Sequence, residues 1–245
     1  MPHLIPDSSA DARLCGLERF VEFWVGPRRP EYGVATEILA ATELPDPLRR
    51  LYAFGGCWPP FRAPYTANRF SVQDHLLVPG GGKFASAHRL GEYLVFVDEN
   101  QNVWVAATLA RGVDPKVFIS ENTSHRAANP KWIVLDHSLS HFLVTFMLQE
   151  LIFGAQKCAC ADGALSEFRK AACKIEPVWV DAEFVWPEVK LSHYLINDRI
   201  LIRNAVGNIE FGGDWYGYND PSCVTLLNSL GLPSSLQRTE MRSHG

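Results

Sequence analysis

His137 and His141, spaced i and i+4, are the residues that most resemble a chemical site. On a helix this spacing puts both imidazoles on one face, as a zinc ion requires. No glutamate lies between them and no third ligand presents itself, and surface or hydrogen-bonded histidines are far commoner than ligands. With Asp136 beside them, they are the set from which an unrecognised hydrolase site would have to be assembled. Cys158-Ala159-Cys160 with Cys173 is a second zinc candidate, but one Cys-x-Cys pair and a lone cysteine leave the ligand set incomplete. Asp98-x-Asn100-x-Asn102 matches the first half of a calcium loop. Val103 then stands where a glycine should allow the sharp turn, and Leu109 where a bidentate glutamate belongs. The same polar run reads simply as a hairpin turn.

Gly80-Gly81-Gly82-Lys83 has the look of a phosphate cradle, but no Ser or Thr follows the lysine, and glycine runs mostly serve backbone freedom. The dinucleotide fingerprint, the nucleophile elbow and His-Glu-x-x-His are all missing from the sequence. Ser, His and Asp are scattered without a spacing that singles out a set. The expectation is a chain with no catalytic residues, no metal and no cofactor.

The elements that would position these residues can be read from periodicity. Leu14, Leu17, Val21 and Trp24, broadened by Phe20 and Phe23, form the stripe of an amphipathic helix over residues 12–25, stopped by Gly26-Pro27. Leu44, Leu48, Leu51 and Tyr52 predict a shorter helix beginning near Pro45, with Gly55-Gly56 as a left-handed C-terminal cap. Three prolines make residues 57–65 an irregular loop. Residues 70–78 read as a possible strand. Residues 93–97 and 103–107 are β-branched or aromatic runs around a five-residue polar connection, which is a hairpin. Both runs are apolar on two faces, so they should lie mid-sheet and be covered on both sides. Val117-Phe118-Ile119 adds a strand, and a long helix should start near Asp136 or Ser138 as N-cap and end at Gly154. The last third reads as strands at residues 177–180, 184–186, 194–196 and 200–203, with a tight turn at Asn197-Asp198 and a short helix at residues 226–230.

With 245 residues, 47% of them hydrophobic, the chain can bury a large core without disulfides or a structural metal. Its net charge of −4, with both signs mixed along the sequence, does not point to nucleic acid or an anionic membrane. The first residues lack a basic segment followed by an apolar one, the most apolar stretch is too short and polar to span a bilayer, and the six cysteines are irregularly spaced. The expectation is a cytoplasmic protein with reduced thiols.

Three pieces of the sequence, in order, resemble the SUKH superfamily, which includes bacterial toxin-immunity proteins and the fungal Smi/Knr cell-wall regulators. Glu43-Leu44-Pro45-Asp46-Pro47-Leu48-Arg49-Arg50-Leu51-Tyr52, then Gly55-Gly56, resembles its Leu-Pro, short helix, glycine opening. Leu94-Val95-Phe96-Val97-Asp98-Glu99-Asn100-Gln101-Asn102-Val103-Trp104 is similar to its strand, Glu-Asn-Gln turn and strand. Asp114-Pro115-Lys116-Val117-Phe118 is similar to the Asp-Pro-Pro-Val-Trp/Phe stretch that follows, with Lys116 in place of the second proline. The resemblance covers residues 36–157, preceded by an N-terminal helix in residues 1–35. Residues 158–245 have no counterpart in the minimal domain.

The resemblance implies an α+β fold, with a central, mostly antiparallel sheet flanked by helices; the strand runs after residue 157, with no long linker before them, read as a β-rich C-terminal extension packed on that core. The resemblance also implies a non-enzymatic module that binds a protein partner, foremost an immunity protein that neutralises a secreted toxin. A regulatory or scaffold protein of the same superfamily is the alternative. Contact residues are then sought among Asp98, Glu99, Asn100 and Gln101 of the turn, Trp58, Phe61 and Tyr65 of the proline-rich loop, and Trp215 and Tyr216 near the C-terminus. Each aromatic cluster could equally pack inward.

Overall fold

A computed structural model describes residues 4, 8–58, 74–77, 79, 89–99, 104–121, 130–207 and 213–235. The fold is α+β, with six α-helices and two antiparallel sheets among the described residues. The opening stripe forms α1 (Ala10–Val25), which buries Leu14, Leu17, Phe20, Val21 and Trp24. After a 3-10 turn come α2 (Thr36–Ala41) and α3 (Asp46–Gly55). The bidentate pairing of Arg50 with Glu18, at 2.7 Å for both bonds, ties α3 to α1. Gly56 is right-handed (φ −58°), not the left-handed cap its sequence position predicted. A glycine fits there for a different reason: a Cβ would meet Val34 at 2.9 Å and the Tyr52 backbone at 3.1 Å.

The first sheet contains β1 (Asp74–Leu76), β2 (Arg89–Leu90), β3 (Tyr93–Glu99), β4 (Trp104–Leu109), β5 (Lys116–Glu121) and β6 (Ile133–Ser138), in the order β1-β3-β4-β5-β6 with β2 also on β3. The predicted hairpin is β3 and β4, mid-sheet as expected.

Next comes α4 (Leu139–Phe153), all fifteen residues of which are buried. A helix apolar nearly all round must sit in the interior, and α4 packs against α1, α3, β5 and β6 as well as the second sheet. It starts where the sequence placed it, with Ser138 at the N-cap position and Asp136 still in β6, but Ser138 makes no side-chain cap bond. The cap comes from Asp114, between β4 and β5, which accepts from the Ser140 amide and the Ser140 hydroxyl at 2.8 Å each. Arg13 of α1 donates to the same carboxylate at 2.9 Å.

The second sheet contains β7 (Lys157–Ala161), β8 (Ile175–Phe184), β9 (Trp186–Ile196), β10 (Ile200–Val206) and β11 (Asp214–Tyr218), in the order β7-β11-β10-β9-β8. Asn197 and Asp198, with φ of 50° and 59°, make the predicted tight turn between β9 and β10. Its outer face carries α5 (Ala164–Lys170) and α6 (Cys223–Ser229), around a separate core of Phe168, Ile196, Ile200, Ile202, Tyr216, Tyr218 and Leu227. Its inner face lies on α4 so closely that a Cβ on Gly217 would come within 2.5 Å of the Ile152 carbonyl oxygen. No helix among the described residues is long and apolar enough to cross a membrane.

Candidate protein-interaction face

Register decides which side of the first sheet each residue occupies. Tyr93 pairs with Leu109, and Phe118 pairs with both Ala107 and Val134. Paired residues point to one face, and neighbours along a strand alternate. Tyr93, Leu109, Phe118 and Val134 therefore share the face turned away from α4, whereas Phe96, 5.7 Å from Phe142, points at the helix.

Towards the Tyr93 end that outward face is open. Val134 is 53% exposed and Leu109 37%. Tyr93, Phe118 and Trp132 are half-buried, with the Tyr93 ring 4.8 Å from Phe118 and 5.0 Å from Trp132. Farther along the same face Val95, Ala107 and Val105 are buried. The expectation that both faces of this hairpin are covered thus holds for its middle and fails at its end. Along the chain, exposed Lys116 precedes Phe118 by two residues and exposed Arg111 follows Leu109 by two. Arg111 pairs with Glu43, as does Arg89. Hydrogen bonds from Arg111 and Arg89 hold the Glu43 carboxyl below the usual carboxylate range. Clustered aromatic side chains are enriched in protein interfaces.

The contact residues expected from the sequence that lie among the described residues are Trp58, Asp98, Glu99, Trp215 and Tyr216. Trp58 is 2% exposed, stacked on Tyr32 at 4.8 Å and tilted against Phe54 at 5.5 Å, so it belongs to the core. Tyr216 is fully buried and donates its hydroxyl to the Pro233 carbonyl at 2.6 Å. Trp215 is half-buried with its ring 5.1 Å from Phe153. These three follow the inward-packing alternative. Glu99 is buried and Asp98 half-buried, both at the end of β3. Asn100, Gln101, Phe61 and Tyr65 lie outside the described residues. The open face draws instead on Tyr93, Leu109, Phe118, Trp132 and Val134. For Tyr93 the signal available was alternation within a strand that already reads as apolar on both sides; β6, which carries Val134, is not among the strands read from the sequence.

His137 and His141 do stack, with ring centroids 3.9 Å apart, and His141 also lies 4.6 Å from Trp179. Burial lowers the pKa of both, that of His141 to about 3, so both imidazoles are neutral at pH 7. Asp136 is exposed, and its amide donates to Glu183 at 3.3 Å. The three cysteines are divided between layers: Cys158 sits in the main core and Cys173 packs on the outer core of the second sheet. Among the described residues no three His, Cys, Asp or Glu side chains gather in a way that could hold a metal ion. In comparisons with known proteins, no family model matches the chain, and neither a curated protein nor a solved structure does.

Proposed function

We propose that this protein is a non-enzymatic binding module of the SUKH type, an immunity protein that docks on a bacterial toxin in the cytoplasm and blocks it. The observation that carries this reading is the open end of the first sheet, where Tyr93, Phe118 and Trp132 cluster beside exposed Leu109 and Val134. Tyr and Trp anchors are what a docking face uses to concentrate its binding energy. Several polar residues near α4 support the reading from the other side, because they hold elements together: Asp114 caps α4, Arg13 braces that cap, and Thr145 accepts from Trp179 at 2.9 Å.

A pull-down against the products of neighbouring genes tests the reading. Capture of one toxin-like product, abolished by Leu109→Asp together with Val134→Asp, supports it. No capture of any such product rejects immunity, and capture of several unrelated partners would favour the scaffold alternative.

A further inference from the structure

The boundary between α4 and the second sheet belongs to the main core, with Val178, Leu191, Leu195 and Leu201 in it, but a polar row runs through it. Cross-strand register aligns Trp179 of β8, His193 of β9, Arg203 of β10 and Trp215 of β11 in one row. The helix lays His141, Thr145, Gln149 and Phe153, each four residues on, along that row. Trp179 donates to Thr145 at 2.9 Å, Arg203 donates to Gln149 at 2.8 Å, and Trp215 meets Phe153 edge to face. His193 sits in the middle, fully buried, and neither of its ring nitrogens has a hydrogen-bond partner. The Nδ1 of His141 is likewise buried without a partner. Beyond the sheet, the outer core with α5 and α6 is a hydrophobic cluster separate from the main one.

We propose that this seam is acid-sensitive, and that below neutral pH the second sheet separates from α4 and its strands loosen while the first sheet stays folded. A proton on His193 would create a charge in a fully buried site beside Arg203, the one charge among the described residues that acts on it. Glu150 of α4, one residue from Gln149, is buried and makes its own interactions. Around His141 stand His137, Arg13 and Lys190, against one opposing carboxylate, Asp114. Opening the seam exposes both imidazoles to water, where they bind protons readily. Both folded-state values lie near 3 against 6.5 in water. Linkage then raises the opening constant about 25-fold per histidine between pH 7 and pH 5, or about 600-fold for the two.

Hydrogen–deuterium exchange of the whole chain at pH 7 and pH 5, corrected for intrinsic exchange, reads this directly. Amides of β8, β9 and β10 should lose protection at pH 5 while β3, β4 and β5 keep theirs. His193→Gln should cut the pH response about 25-fold, and if that variant does not fold, His141→Gln at the margin of the seam should do the same. Simultaneous loss of protection in both sheets, or a pH response untouched by both substitutions, would overturn the proposal.

Discussion

Replacing Asp114 with alanine should be among the most damaging single changes in this chain. The carboxylate accepts from the Ser140 amide and hydroxyl at 2.8 Å and from Arg13 at 2.9 Å, and the two charged side chains are only 16% and 12% exposed. Losing a helix cap costs about 1 kcal/mol. Leaving a buried arginine without its carboxylate costs about 3–5 kcal/mol. The two effects overlap, because Arg13 keeps contacts with the Ser8 carbonyl, Ser138 and Ser140. The expected total is therefore about 3–4 kcal/mol, at the lower end of that range. Asp114→Asn retains a cap acceptor but not the charge and should lose about half as much. Urea unfolding at pH 7 measures both, and a double-mutant cycle with Arg13→Met isolates the ion pair. A change below about 0.5 kcal/mol for Asp114→Ala, the size of an ordinary surface substitution, would refute the assignment of this carboxylate as the brace of α4.

Thr145→Val keeps shape but leaves the Trp179 indole N–H buried without its acceptor, and should cost about 1–3 kcal/mol in the same urea assay. Gly217→Ala places a methyl 2.5 Å from the Ile152 carbonyl oxygen, so α4 must shift, at a cost of about 1–3 kcal/mol measured by thermal unfolding. The folded pKa of His141 and of His193 is lowered, so the unfolded chain binds more protons. Stability is therefore full above pH 6.5 and falls as pH drops through 6.5 towards 3, by about 2 kcal/mol per histidine at pH 5. Urea midpoints measured from pH 8 to pH 4 should trace that decline.

Elements whose cause is local were legible in the sequence. The stripe from Leu14 to Trp24 specified α1, the two β-branched runs specified β3 and β4, and Asn197-Asp198 specified the turn between β9 and β10. What escaped depends on residues distant in sequence. Asp114 caps a helix that begins 25 residues later, so the nearer Asp136 and Ser138 looked like better candidates. β7 is built from Lys157, Cys158, Ala159, Cys160 and Ala161, small residues with no strand pattern, and is held in place by pairing with β11. The i, i+4 spacing of His137 and His141 was visible, but its meaning was not. The stripe continues through Thr145 and Gln149, and its counterpart is spread over separate strands. The open face was hidden for a related reason: strands apolar on both sides do not reveal where cover ends.

The most direct test of the docking account is a calorimetric titration of the protein with the toxin-like product of a neighbouring gene, using wild type and Val134→Asp. Val134 is 53% exposed, so its replacement should leave the urea midpoint unchanged. A one-to-one complex should form, and Val134→Asp should weaken it at least about ten-fold, equivalent to about 1.4 kcal/mol. Equal affinity for the two proteins would contradict the docking account.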